Sequence, residues 1–391
     1  MKTVLLRLAH RALVLGFCAG LAACATRPPP QPAEALLHDE FFGGAVAAVD
    51  TSDIFALSPA MRAYADTTLA LGNPMRDVRR TFIEALYAHG QLRLNYDAGN
   101  TRNAAQAFDS RAGNCLSLVI MTAAFAKHLG LPVSFQAVQV DEMYTRSADL
   151  TLASGHVNLV LGPVSPHSVF SRNLPNELTV DFLTTDEIGS LRTLPLSERT
   201  VTAMYLNNRA AEALADGQLA ESYRWARAAV LQDPGFTAAA NTLAVVYLRS
   251  AQGAAAEQAL RYVLAAEPDN AAALSNLSIT LQRAGRTAEA QAVSARLAQV
   301  QPVPPLHFYD LGRQAMAARN FSQARDYFKR ELRRQPYSSE VHFWAAQASW
   351  QLGEQAEAVG HLRQAMDNSS TRGTHDLYAA KLEKLRALHL Q

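Results

Sequence analysis

The amino-acid sequence predicts an α+β domain followed by an all-α repeat solenoid. The second half of the chain contains Pro234, Pro268, Pro302 and Pro336 at intervals of 34 residues, a period expected of a helical repeat array. Before them, residues 40–195 show helix start and stop signals first and short runs of β-branched residues afterwards. With 391 residues, the chain is also too long for one ordinary core, which predicts two or three structural units.

The composition excludes several classes of protein. Hydrophobic residues make up 49% of the chain and charged residues 18%, which excludes a disordered or low-complexity protein. The formal net charge is +1, and after the basic first 23 residues the remainder has 33 basic against 35 acidic residues. This balance gives no electrostatic footprint for nucleic acid. The sequence has neither a Gly-rich phosphate loop nor a metal-ligand spacing, so we expect no cofactor and no metal.

The N-terminus, residues 1–23, has the layout of a secretory signal peptide, with basic residues around an apolar stretch too short to span a membrane. It ends in Leu21-Ala-Ala-Cys24, which resembles the lipobox of bacterial lipoproteins, whose cysteine becomes the lipid-bearing first residue. Ordinary cleavage after a small residue is the alternative. The resemblance implies an envelope protein, and Ala25 favours the outer membrane facing the periplasm. Residues 24–39 are interpreted as a Pro-rich tether between the anchor and the folded body.

The cysteine content points to one thiol. Cys18 lies inside the signal peptide and Cys24 is expected to carry lipid, which leaves Cys115 as the third and last cysteine. The mature chain therefore cannot form an intramolecular disulfide. A lone thiol in an oxidising compartment is expected to be either buried or used chemically.

The 34-residue period resembles the tetratricopeptide repeat. With the four prolines at position 32, small residues recur where paired helices approach closely, as at Ala210, Ala244 and Gly312. The helix predicted at residues 373–391 caps the end of the array. The five units are residues 203–236, 237–270, 271–304, 305–338 and 339–372.

Arrays of this kind bind extended peptides or partner proteins on a concave face, and polar side chains there suit a peptide backbone and its carboxylates. The candidates are Asn207, Asn241, Arg249, Arg283, Tyr309 and Arg313. The alternative is that these are ordinary solvated residues of a helix face. We expect the array to fold apart from the preceding domain, with the junction near residues 194–201.

Residues 40–195 are predicted to contain helices and then an antiparallel sheet. The predicted helices begin at Pro59, Pro74 (ending near His89), Arg102 and Cys115 (ending near Leu129). The predicted strands are residues 133–140, 156–161 and 178–182. Residues 141–155 are long for a strand connection and are predicted to be a loop that covers or shapes a cleft.

Three residues of this domain suit nucleophilic catalysis. Cys115 falls in the first turn of its helix, where the helix dipole and the unbonded N–H groups stabilise a thiolate. His156 is on the second strand, on the same face as Asn158 because strand residues alternate. Asp181 lies among apolar residues on the next strand and suits the role of a partner for the histidine.

This order of residues resembles the transglutaminase-like superfamily of cysteine enzymes, which have a papain-like α+β fold. The stretches at residues 111–117 and 127–132 are closest to bacterial members fused to tetratricopeptide repeats. The resemblance implies that Cys115 is the nucleophile, His156 the general base and Asp181 the orienting acid. It also implies action on amide or thioester carbonyls, as a peptidase, amidase or acyltransferase.

No side chain is a certain oxyanion donor. The Cys115 backbone N–H is one candidate, and Gln106 or Asn114 is a candidate for a second. Two functions remain open from the sequence. One is a lipid-anchored cysteine enzyme whose repeats bind substrate or partner, and the other is a catalytically silent envelope scaffold that uses the repeat groove.

Overall fold

The computed structural model of the protein describes most of the chain after the predicted signal peptide. Residues 1–23, Cys24 and the helix start predicted at Pro74 lie outside the described residues. Within the described residues, no helix is both long enough and apolar enough to cross a lipid bilayer. The described ranges are residues 32–69, 78–87, 95–96, 100–147, 150–162, 177–182, 193–303, 306–369 and 372–389.

In the part of the chain that the structure describes, three α-helices precede the helix that carries Cys115. They are α1 (Pro59–Tyr64), α2 (Val78–Tyr87) and α3 (Ala104–Ser110). The Met61 N–H donates a hydrogen bond to Ser58 Oγ at 3.2 Å, so the predicted helix start at Pro59 is confirmed. The helix predicted from Arg102 begins at Ala104 instead, where the side chain of the preceding residue caps it.

Helix α4 (Cys115–His128) is the centre of the α+β region. Every residue from Leu116 to Ala126 is buried, which explains why its sequence is apolar on all sides. It contacts α3, the sheet and the first helix of the array. Its predicted end is confirmed within one turn, since Gly130 follows with a φ of 72°.

The strands form a short pair and a larger antiparallel sheet. In the described residues, β1 (Asn95–Tyr96) pairs in parallel with β2 (Ala112–Gly113). The larger sheet has the order β5-β4-β3-β6. Its strands are β3 (Val133–Ser147), β4 (Leu150–Leu161), β5 (Leu178–Val180) and β6 (Thr193–Leu196).

The prediction of a loop at residues 141–155 is wrong. Strands β3 and β4 are paired almost to the end of the hairpin, with a shift in register between Val138 and Met143. The stretch extends both strands, because pairing between them satisfies the backbone N–H and C=O groups that face the partner strand. Strand β5 ends at Val180, so Asp181 lies directly after it.

The C-terminal part is a helical solenoid, as the 34-residue period predicts. In the described residues, five consecutive helix pairs are followed by a single helix. The pairs are α5 (Glu198–Ala215) and α6 (Leu219–Gln232), α7 (Thr237–Arg249) and α8 (Gly253–Ala266), α9 (Ala271–Arg283) and α10 (Thr287–Val300), α11 (His307–Ala317) and α12 (Phe321–Arg334), and α13 (Ser339–Gln351) and α14 (Gln355–Asp367). The last helix is α15 (Arg372–His389).

The N-terminal segment, defined as residues 33–42, lies on the array. The Tyr247 hydroxyl donates a hydrogen bond to the Leu36 carbonyl at 2.7 Å, and the Phe42 ring stacks on Tyr223 with centroids 4.1 Å apart. The tether predicted to reach residue 39 is therefore wrong at its C-terminal end, because aromatic side chains of the array bind this part. The segment forms two short 3-10 helices, Ala33–Leu36 and Asp39–Phe42.

The α+β region and the first repeats of the array share one hydrophobic core. A single cluster of buried residues runs from Ala33 through the sheet to Ala290. Strand β4 packs against α7 and α9, and strand β3 packs against α5. Residues 33–391 form one compact unit, so the expectation that the array is a separate unit is wrong. The apolar face left by the first repeats is covered by the α+β region itself.

Candidate active site

Local backbone geometry places Cys115 at the start of α4. Asn114 caps the helix, since its Oδ1 accepts a hydrogen bond from the Ser117 N–H at 2.9 Å. A Cβ at Gly113 would lie 2.7 Å from the Ser117 Cβ, so this position requires glycine. Gly113 and Asn114 therefore each have a structural role at the start of this helix. The thiol is half-buried in the first helical turn, where unbonded N–H groups and the helix dipole favour negative charge.

His156 and Asp181 form a buried pair. His156 Nε2 and Asp181 Oδ1 are 2.7 Å apart, and the two side chains are 3% and 9% exposed. Val180 pairs with Leu159, so the residue after Val180 comes next to Asn158 on the neighbouring strand. Two residues on one face of β4 thus reach the same carboxylate.

Asn158 is a second partner of that carboxylate. Its Nδ2 donates a hydrogen bond to Asp181 Oδ2 at 3.1 Å, and the side chain is buried. One oxygen of Asp181 therefore faces the imidazole while the other is held by an amide. These two contacts fix the rotation of the carboxylate.

The imidazole of His156 lies between the thiol of Cys115 and the carboxylate of Asp181 and is hydrogen-bonded to both. Burial alone lowers the pKa of His156, but hydrogen bonds to Asp181 and Cys115, together with their negative charges, raise it to about 9. Because Nε2 is bonded to Asp181, Nδ1 is the ring nitrogen left for the thiol. The structure therefore brings together the three residues predicted from the sequence, and the raised pKa of His156 favours a protonated imidazole beside Cys115.

Both predicted oxyanion side chains take part in helix caps. Gln106 Oε1 accepts a hydrogen bond from the Asn103 N–H at 3.2 Å in a capping box, and its side chain is exposed. Asn114 Oδ1 accepts from the Ser117 N–H, and Asn114 Nδ2 donates to Thr101 Oγ1 at 2.9 Å. The cap uses the oxygen of Gln106, whereas an oxyanion donor would use its NH2 group, so the role of Gln106 stays a prediction. Both ends of the Asn114 amide are hydrogen-bonded, so the backbone at the helix start is the other oxyanion candidate.

The predicted groove residues do not form one exposed surface. Asn207, Asn241 and Tyr309 are buried, so their prediction as exposed ligand contacts is wrong. Asn241 Oδ1 accepts a hydrogen bond from Asn276 Nδ2 at 3.1 Å, and the helices that carry this pair are those covered by β4. The remaining candidates, Arg249, Arg283 and Arg313, are exposed.

Arg313 belongs to an aromatic cluster in the fourth and fifth repeats. Its guanidinium lies 3.8 Å from the centre of the Trp344 ring and donates a hydrogen bond to the Tyr309 hydroxyl at 2.9 Å. That hydroxyl also contacts Glu340. Arg313 therefore takes part in packing between neighbouring repeats.

Sequence reasoning missed residues that act at a distance along the chain. Burial, together with negative charge on Cys115, raises the pKa of Tyr337, so this phenol from the fourth repeat lies within electrostatic range of the thiol. Thr101 and Glu212 connect the cap of α4 to the array. Asn158 was on the predicted face of its strand, but its partner was not predicted. The alternation of side chains along a strand was a usable sequence signal for Asn158. The sequence contained no comparable signal for Tyr337, Thr101 or Glu212.

The part of the chain that the structure describes contains no group of three His, Cys, Asp or Glu side chains able to hold a metal ion.

Comparisons with known proteins support the repeats. Residues 309–372 match the tetratricopeptide repeat family model, so the C-terminal part of this chain carries tetratricopeptide repeats. No curated protein sequence matches the chain.

Three solved structures illustrate what the chain resembles. A structure from a functional characterisation of Pseudomonas aeruginosa pilF is 21% identical, with a TM-score of 0.28 and coverage of 48% of this chain and 94% of that one. A MamA structure is 16% identical, with a TM-score of 0.25 and coverage of 44% and 93%. YrrB, described as a tetratricopeptide repeat protein with an unusual peptide-binding site, is 16% identical, with a TM-score of 0.25 and coverage of 46% and 92%. These TM-scores are too low to carry an argument about this chain.

Proposed function

We propose that the protein is a cysteine enzyme of the transglutaminase-like type that attacks peptide amide bonds through Cys115. The observation that carries the proposal is the hydrogen bonding of one buried imidazole, His156, to both the thiol and Asp181. A buried imidazole needs a partner at each of its two ring nitrogens, and here those partners are a carboxylate and a thiol. A histidine placed between a carboxylate and a thiol at a helix start has the arrangement that nucleophilic catalysis requires.

The reaction follows from the positions of these groups. The thiolate of Cys115 attacks the amide carbonyl carbon, and the negative charge on the carbonyl oxygen is stabilised at the N-terminus of α4. The C–N bond then breaks, and the protonated His156 gives its Nδ1 proton to the leaving amine. A thioester on Cys115 results, together with a neutral imidazole.

The second half of the reaction restores the enzyme. Water or an amine attacks the thioester, His156 accepts the proton of that nucleophile, and the thiolate leaves. Water gives hydrolysis and an amine gives acyl transfer, so the acceptor that enters the cleft decides the outcome. Asp181 keeps the imidazole oriented and stabilises its protonated form in both halves.

The proposed reaction is tested by thiol reactivity in the full chain. Iodoacetamide should modify wild-type Cys115 quickly at pH 6, where an ordinary thiol is nearly silent, and His156→Ala should lower the rate by at least about tenfold. His128→Ala is a matched control, because His128 also contacts a carboxylate, Asp66, at 2.8 Å but lies at the other end of α4. An inert wild-type thiol would overturn the proposed enzyme.

A second candidate function is that of an interaction scaffold. It is favoured by the repeats, which begin at Glu198 and form more of the described chain than the α+β region does. In this case a protein or peptide partner binds the array through exposed side chains such as Arg249 and Arg283. The same alkylation experiment separates the two functions, because a scaffold needs no reactive thiol.

We further propose that the protein is anchored by lipid on Cys24 in the bacterial outer membrane and faces the periplasm. The support is the Leu21-Ala-Ala-Cys24 motif after a short signal sequence. Cys24→Ala should move the protein from the membrane fraction to the soluble fraction. Cys18→Ala, a cysteine change inside the signal peptide, is the control and should not. Membrane association that survives the Cys24 change would refute the anchor.

A further inference from the structure

The helix that carries the candidate nucleophile is fastened to the first helix of the array at both ends. At the N-terminal end, the link runs from Asn114 through Thr101 to Glu212. At the C-terminal end, Lys127 forms an ion pair with Glu198. Helix α4 has 14 residues and is about 21 Å long, so the two links join it to α5 near its two ends.

Thr101 is the centre of the N-terminal link. It is fully buried, and three of its groups are hydrogen-bonded: its N–H donates to Glu212 Oε1 at 2.7 Å, its carbonyl accepts from Arg209 at 3.3 Å, and its hydroxyl accepts from Asn114 at 2.9 Å. Two of these contacts come from the array and one from the cap of α4. A shift of α5 at this point must therefore move either Thr101 or the cap.

The cap itself has little freedom. Asn114 Oδ1 holds the Ser117 N–H at 2.9 Å and the Ser117 hydroxyl at 2.8 Å, and the Arg102 N–H donates to that hydroxyl at 2.8 Å. These bonds fix the first turn of α4, in which Cys115 lies. The link from the array therefore ends one residue before the thiol.

We propose that Glu212 is a positioning residue for Cys115, which it orients through Thr101 and the Asn114 cap, so that the repeat array sets the reactivity of the thiol. This inference rests on the proposed function. It makes the first repeat a structural part of the active site, and a partner that moves α5 would change the reactivity of Cys115 without touching the cleft.

The hydrogen bond between Glu212 and Thr101 depends on pH, because the carboxylate of Glu212 can be protonated. Burial raises the pKa of Glu212 to about 7, although hydrogen bonding to Thr101 and the positive charges of Arg209 and Arg102 oppose the rise. The Tyr205 phenol also senses the charge of Glu212, along with that of Asp53. Above pH 7 the Glu212 carboxylate accepts strongly from the Thr101 N–H, and below pH 7 it is protonated and the link weakens.

The test compares Glu212→Ala, Glu212→Gln and the control Glu198→Ala in the full chain. The alanine variant should lower the iodoacetamide rate of Cys115 about tenfold at pH 8, with the difference from wild type shrinking at pH 6. The glutamine variant keeps an oxygen acceptor and should keep the rate, with no step near pH 7. The control breaks only the distant ion pair and should leave the rate unchanged.

Hydrogen exchange gives the second readout, since it needs no reactive thiol. Amides of residues 114–118 should exchange faster in Glu212→Ala than in wild type or in Glu198→Ala. Unchanged exchange and an unchanged rate in Glu212→Ala, with the protein folded, would overturn the positioning role. A wild-type thiol that is inert, with faster exchange still seen in Glu212→Ala, would overturn the proposed enzyme and keep the link.

Discussion

Asp181→Asn isolates the charge of the carboxylate from its shape. The introduced amide oxygen can still accept from His156 Nε2, and Asn158 can turn its own amide so that its oxygen, which has no hydrogen-bond donor among the described residues, accepts from the introduced NH2. The variant therefore keeps both hydrogen bonds and loses only the negative charge. The affected quantity is the pKa of His156.

The size of the effect follows from that pKa. A rise from 6.5 to about 9 corresponds to roughly 3 kcal/mol of folding free energy, at about 1.4 kcal/mol per pH unit. Because the folded pKa of His156 lies above the unfolded value, this stabilisation is complete below pH 6.5 and is lost as the pH rises through about 9. Asp181 and Cys115 share it, so Asp181→Asn should cost about 1 to 2 kcal/mol at pH 6 and little at pH 10.

The measurement is urea unfolding, followed by circular dichroism, at several pH values between 6 and 10. The wild-type free energy of unfolding should fall across this range, and the curve for Asp181→Asn should be flatter and should meet the wild-type curve at high pH. The control is Asp66→Asn, which alters the exposed pair with His128. Two parallel curves for wild type and Asp181→Asn would refute the charge assignment.

Three further changes test the packing. Gly312→Ala should cost about 1 to 3 kcal/mol in urea unfolding, because its Cβ would lie 2.4 Å from the Phe328 ring, whereas Gly360→Ala, with nothing within 4 Å, should cost nothing. Asn158→Ala removes one hydrogen bond to the buried carboxylate and should cost about 1 to 3 kcal/mol, while equal stability to wild type would mean that the carboxylate needs only the imidazole. Tyr223→Phe removes a hydroxyl that donates to a carboxylate of the N-terminal segment at 2.7 Å, so limited proteolysis should cut that segment sooner than in wild type, and an unchanged cleavage rate would contradict its role.

The repeat array could be predicted because its signal is local and repeated. Each helix pair buries the same kind of small position, and Gly312 shows why: the Phe328 ring of the paired helix leaves no room for a Cβ there. The need for a small residue recurs at the same position of each repeat, so the pattern can be recognised several times in the sequence.

The candidate site could be predicted in part because strand geometry fixes which residues share a face. The two-residue period put His156 and Asn158 together, and Asp181 comes directly after the adjacent strand. The start of α4 followed from the residue types around Cys115. Distances, partners and charge states required the three-dimensional arrangement.

The remaining features depend on contacts between residues far apart in the chain. The Thr101 N–H finds Glu212 at a separation of 111 residues, and no periodic pattern connects them. Strand β4 covers helices of the array whose asparagines, such as Asn241, had the composition of a ligand-binding surface. The sequence shows that a polar side chain lies on a helix face, but it does not show which part of the same chain covers that face.

The contact between the N-terminal segment and the array has a consequence for folding during synthesis. Leu36 is made early, but its partner Tyr247 follows 211 residues later. At the usual elongation rate of about 5 to 20 residues per second, the segment waits roughly 10 to 40 s for that partner. Until Tyr223 and Tyr247 are both present, its apolar side chains, including Phe42, lack the aromatic surface that they contact in the folded protein. The order of synthesis therefore makes the first part of the folded body one of the last to be fixed in place, and a chaperone that recognises short apolar segments has this interval in which to act.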